Sequence, residues 1–74
     1  MNITTEYVNK ALTSILDFYR EGLDLGRDEY FDWSNAYYKI CGIDLLFNND
    51  TDIQALIENA KQQLDVIKVE EVVS

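Results

Sequence analysis

Histidine and proline are both missing from this 74-residue chain, and cysteine occurs once, at position 41. Without histidine, the commonest general base and the commonest zinc ligand are gone. A single cysteine forms no internal disulfide and supplies too few thiolates for a structural metal site. With no proline, and only Gly22, Gly26 and Gly42 as punctuation, long helices are allowed and breaks fall to glycine or to polar clusters. Basic residues are also scarce: six against fourteen acidic ones leave a net charge of −8. That balance argues against direct nucleic-acid binding, whose affinity comes largely from Lys and Arg neutralising phosphates. No run approaches the ~18 apolar residues of a membrane span, and MNITTEYVNK lacks the basic-then-apolar layout of a secretion signal. A cytoplasmic protein without membrane contact is therefore expected. The glycosylation-like triplets Asn2-Ile3-Thr4 and Asn49-Asp50-Thr51 read as helix-capping neighbourhoods instead.

What remains is an ordinary globular composition, 47% hydrophobic and 27% charged, in one small acidic domain spanning residues 1–74 with no repeat or linker. Surface scaling gives ~60% burial for a chain this small, hence ~115 kcal/mol of apolar gain against ~110 kcal/mol of ordering entropy. With no disulfide to widen that margin, association with a partner or with itself is the remaining aid.

The hydrophobic periods predict three helices. The first runs from about Thr4 to Leu25, with Val8, Ala11, Leu12, Ile15, Phe18, Tyr19 and Leu23 on one face. Thr4 serves as N-cap, Ile3 and Val8 form a hydrophobic staple, and Gly26 takes the left-handed position past the end. Asp28 caps a second helix carrying Tyr30, Trp33, Ala36, Tyr37, Ile40 and Cys41, which Gly42 stops with Ile43 packed back on Tyr38. Residues 43–47 then read as a packed connector. In the third, Thr51 and Gln54 match a capping box, and Ile53, Ile57, Ala60, Leu64 and Ile67 alternate spacings of four and three. From Val66 to Ser74 the β-branched residues favour a frayed end or an edge strand. The expected fold is an all-α, three-helix-bundle-like domain, with a helix-rich α+β form carrying a short C-terminal edge strand as the alternative.

Catalytic chemistry finds little support. No glycine-rich phosphate loop or nucleophile elbow occurs, so neither enzyme activity nor a cofactor is expected, and Cys41 reads as a small buried hydrophobe. Asn48, Asp50 and Asp52 match the first ligand spacings of a calcium loop. Ile53 then stands where the turn needs glycine, and Asn59 where the bidentate acid belongs, so no metal site is expected.

Two features point to protein binding. Asp17, Glu21, Asp24 and Asp28 follow at spacings of four, three and four, with Glu29 and Asp32 close behind. Beside them lie Tyr30, Phe31, Trp33, Tyr37 and Tyr38, too many aromatics in nine positions for all to face inward. An acidic rim around an aromatic centre suits a small protein-binding regulator or inhibitor. It would occlude a basic surface on a partner such as a nucleic-acid-handling enzyme, with acids standing where phosphates would bind and Tyr30, Phe31, Trp33 or Tyr38 as anchors. Small phage-type and immunity-type antagonists, including nucleic-acid mimics, share this composition by analogy. The alternative is a homo-oligomeric structural or assembly subunit that buries the aromatic surface against its own copies.

Overall fold

Three features shape the architecture: long helices without proline, more apolar residues than one small core can cover, and two polar corners. In a computed structural model, which describes the backbone of residues 3–73 and side chains as far as Lys68, they resolve into α1 (Ile3–Asp24), α2 (Glu29–Leu46) and α3 (Thr51–Val73). Each helix packs against both others, within principal dimensions of 36 × 18 × 17 Å. The long dimension is that of one helix, since 22 residues rise about 33 Å. This is the all-α three-helix bundle, and no strand occurs among the described residues. The edge-strand alternative for 66–74 is thereby corrected as far as Val73; Ser74 lies outside the described residues. At Ile67, only 2% exposed, packing on the core overrides the local β preference.

One core joins the helices: Val8, Leu12 and Tyr19 from α1, Ala36 and Ile40 from α2, and Ile53, Ile57, Ala60, Leu64 and Ile67 from α3. All five predicted α3 positions are at most 3% exposed. Ala11 and Phe18 of the predicted α1 face instead point outward, because three-helix packing covers a narrower stripe than the sequence offers. Helix α1 begins at Ile3, so Thr4 sits inside its first turn rather than capping it, and Ile3 is exposed rather than stapled. The neighbourhood of Asn2 lies outside the described residues.

The α1–α2 corner matches its sequence signals. Gly26 adopts φ +77°, its N–H donates to the Leu23 carbonyl, and the Arg27 N–H donates to the Gly22 carbonyl, the paired bonds of a Schellman motif. Asp28 Oδ1 accepts from the Phe31 N–H at 3.0 Å and caps α2.

Gly42 does not stop α2. The helix continues for another turn to Leu46 and ends at Phe47, whose N–H donates to the Ile43 and Asp44 carbonyls. Residues 43–46 are thus helical, not a connector, and the Ile43–Tyr38 cap contact is absent. The physical reason is Phe47, which packs on the core from the end of a longer helix. A Cβ at Gly42 would meet nothing within 4 Å. Gly42→Ala is accordingly expected to raise unfolding stability by about 0.5–1 kcal/mol, the propensity difference of an open helix interior. A urea titration of dilute protein followed by circular dichroism checks this.

The predicted capping box at α3 is also replaced. Asp50 is the cap, its Oδ1 accepting from the Asp52 and Ile53 N–H groups, both at 3.1 Å. Gln54 instead reaches back to the end of α2, where its Nε2 donates to Asp44 Oδ1 at 2.6 Å and to the Phe47 carbonyl at 3.2 Å. Asp44 also faces Lys61, 3.7 Å away, so one acid of α2 is tied to α3 twice.

Candidate functional site

Asp17, Glu21, Asp24 and Asp28 stay exposed along the end of α1 and the corner that follows it, whereas Asp32 leaves them. Asp32 is only 8% exposed and faces inward, its Oδ2 accepting from Arg27 Nε at 3.1 Å. Asp17 lies 4.0 Å from Arg20 in an exposed pair, Asp28 caps α2 while staying exposed, and Glu29 is half-buried in the first turn. Glu21 and Asp24 remain exposed on the last turns of α1. The inward turn of Asp32 has a local cause: Gly22 leaves room for the Arg27 side chain to cross the corner and meet it, a contact between residues that no helical spacing relates.

The aromatics divide as well. Trp33 is half-buried between α2 and α3, stacked on Tyr37 at 5.2 Å with Lys68 4.9 Å above it, and its buried indole Nε1 meets no acceptor among the described residues. It is a packing residue, not an exposed anchor. Tyr30, Phe31 and Tyr38, by contrast, are 76%, 63% and 72% exposed. Tyr30 thus lies on the outside of α2, off the apolar set it shares in the sequence with Trp33 and Ala36 and in a position open to a partner.

These three belong to a larger surface that the sequence reading missed. Opposite Ala36 and Ile40, the outer side of α2 is formed by positions 30, 31, 34, 35, 38, 41, 42, 45 and 46, at the helical period. None carries a charge. Leu45 and Leu46 are 79% and 77% exposed, so five large apolar side chains line this face. The four charged residues of α2 all lie off it: Asp32 and Asp44 are paired as described, Glu29 sits in the first turn, and Lys39 leans toward α1, its Nζ 5.7 Å from the Phe18 ring. The signal was present as the seven-residue spacing of Phe31, Tyr38 and Leu45, but the assumed stop at Gly42 cut it short.

Basic side chains stand against aromatic rings on both flanks of α2. Arg27 and Lys39 lie over the Phe18 ring on the α1 side, and Lys61 and Lys68 lie over Tyr37 and Trp33 on the α3 side. Four of the six basic side chains thus stand against rings beside α2, and two of them, Arg27 and Lys61, are paired there with Asp32 and Asp44. Exposed acids stand chiefly on α1 and α3, as with Glu6, Asp17, Glu58 and Asp65.

Elsewhere the surface offers little chemistry. The α2–α3 corner holds an open hollow of about 550 Å³ lined by Phe47, Asn48, Asn49 and Asp50 among others, but the Asp50 carboxylate there is engaged with backbone N–H groups. Cys41 is free and half-buried on the outer side of α2 rather than in the core. Among the described residues, no group of three or more Cys, Asp or Glu side chains is placed to hold a metal ion, and no helix is long and apolar enough to cross a membrane. No family model matches the chain, and no curated protein or solved structure shows significant similarity to it.

Proposed function

We propose that this chain is a non-catalytic protein-binding module, a small regulator or assembly factor that works by covering a protein surface, and that its contact is the outer face of α2. The observation that carries this reading is the uncharged stripe itself. Twenty of the 74 residues are charged, yet nine consecutive face positions of α2 carry none and hold five exposed large apolar side chains. Such a patch costs solubility in an isolated monomer and marks an interaction site. Tyr and Phe add contact area for few rotatable bonds, as binding anchors do.

The second reading, occlusion of a basic partner through the acids, retains the support of Glu21 and Asp24, exposed beside Leu25 on the same corner. The two surfaces separate experimentally. A photo-crosslinking amino acid placed at Tyr38, at Asp24 and at Glu58, in the cells that make the protein, is expected to capture protein from Tyr38 and not from Glu58. Capture from Asp24 alone would shift the contact to the acidic corner and remove the α2 reading.

A further inference from the structure

We infer that the occupant of the α2 face is a second copy of this chain, docked antiparallel across a two-fold axis. This deepens the protein-binding reading and rests on it.

The argument begins with the order of large and small residues. Phe31, Tyr38 and Leu45 form three ridges seven residues apart. Between the first two lie Ser34 and Asn35; between the second two lie Cys41 and Gly42. The face is thus two small-floored hollows separated by bulky side chains. A knob from a facing helix seats in a hole made of four residues, and these hollows have that form. In one antiparallel register Tyr38 enters the hollow floored by the partner copy's Ser34 and Asn35, while Phe31 enters that floored by Cys41 and Gly42. Two-fold symmetry makes both insertions reciprocal, so the contact closes. A parallel pair in register sets large beside large at all three levels, and a staggered parallel pair leaves an open end that would propagate.

The ends of the stripe fit the same register. Leu45 and Leu46 of each copy extend past the first turn of the other copy's α2 to the Gly26 corner, where Leu25 is 67% exposed. The absence of glycine constraint at Gly42, with open space around a Cβ, also gains a reason: the floor of the hollow is bare so that a ring can enter.

Area supports a stable pair. The five apolar side chains, each presenting on the order of 130 Å², offer ~650 Å² before their small neighbours are added, close to the ~800 Å² per partner of a standard interface. The stripe itself carries no charge, so the centre of the pair desolvates no ion, and the charged groups Arg27 and Asp28 meet only its ends. The net charge of −8 on each copy makes the approach repulsive at long range, and salt screens that repulsion.

Sedimentation equilibrium of the full chain from micromolar to about 1 mM, with circular dichroism as the control for folding, tests the proposal. The expected result is a two-chain species that tightens or is unchanged as salt rises, and that Tyr38→Lys weakens at least tenfold while leaving the helical signal intact. Oxidative cross-linking then reads the register. Asn35→Cys in a Cys41→Ser background places the two thiols within about 4 Å along the helix axis and is expected to form an intermolecular disulfide. The native Cys41 residues lie about 14 Å apart along the axis and are expected to form none within the dimer. A monomer throughout the concentration range, a dimer indifferent to Tyr38→Lys, or a dimer linked through Cys41 and not through Asn35→Cys each overturns the inference. If the chain is monomeric while the label at Tyr38 captures a different protein, the binding face stands and the self-association falls.

Discussion

Ile40→Ala is expected to lower unfolding stability by about 3 kcal/mol, the transfer and cavity cost of removing a buried branched side chain. Ile40 is 0% exposed where α2 meets both other helices. At ~0.05–0.15 kcal/mol per residue a domain of this size holds roughly 4–11 kcal/mol in total, so this one substitution takes about a quarter or more of it. Tyr38 stands two residues away on the opposite side of the same helix, and Tyr38→Ala in dilute solution is expected to change stability by no more than about 0.5 kcal/mol. Urea titrations of the two variants at low concentration measure the contrast. Similar losses in both would mean that the outer face is packed within the monomer, and would remove the basis for an interaction surface there.

That contrast also explains which parts of the structure were legible in the sequence. Helix α3 carries a single apolar stripe, Ile53 to Ile67 at spacings of four and three, and its buried residues follow from period alone. Helix α2 carries two, one around Ala36 and Ile40 and one around Phe31, Tyr38 and Leu45, so no single period describes it. In such a helix Gly42 reads equally as a stop or as an interior residue, and what decides is a long-range contact, Phe47 on the core, which local sequence does not encode. The cap of α3 failed for a related reason. Asp50 and Thr51 are both good caps, and Asp50 prevails while Gln54 is drawn away by Asp44 ten positions earlier. The candidate site divides along the same line: the capping role of Asp28 follows from its own helix, whereas Asp32 is claimed by Arg27 of the corner and Trp33 by packing against Tyr37 and Lys68.

Arg27→Ala is the second large loss expected, about 2 kcal/mol, and it follows from the asymmetry of one ion pair. The Arg27 guanidinium makes three contacts at the α1–α2 corner: Nε to Asp32 Oδ2 at 3.1 Å, Nη2 to the Phe18 carbonyl at 3.0 Å, and its plane over the Phe18 ring at 4.2 Å. The pair is unequally buried, with the arginine side chain 37% exposed and the aspartate 9%. Removing the arginine leaves a nearly enclosed carboxylate without its cation, whereas removing the aspartate leaves a cation that water still reaches. Arg27→Ala should therefore cost more than Asp32→Ala, with the double variant losing less than the sum of the two. The estimate sits below the 3–5 kcal/mol of a fully buried pair because solvent screens the exposed partner. Arg27→Lys is expected to recover only part of the loss, since an ammonium cannot serve the carboxylate, the carbonyl and the ring from one plane. Gly22→Ala should destabilise through the same corner, by about 1 kcal/mol despite alanine's advantage in a helix, because its Cβ would displace both the Asp32 carboxylate and the Arg27 guanidinium. Equal losses for Arg27→Ala and Asp32→Ala in a thermodynamic cycle would show the carboxylate to be as well hydrated as its partner. The corner would then be held by the Schellman bonds and the Asp28 cap alone.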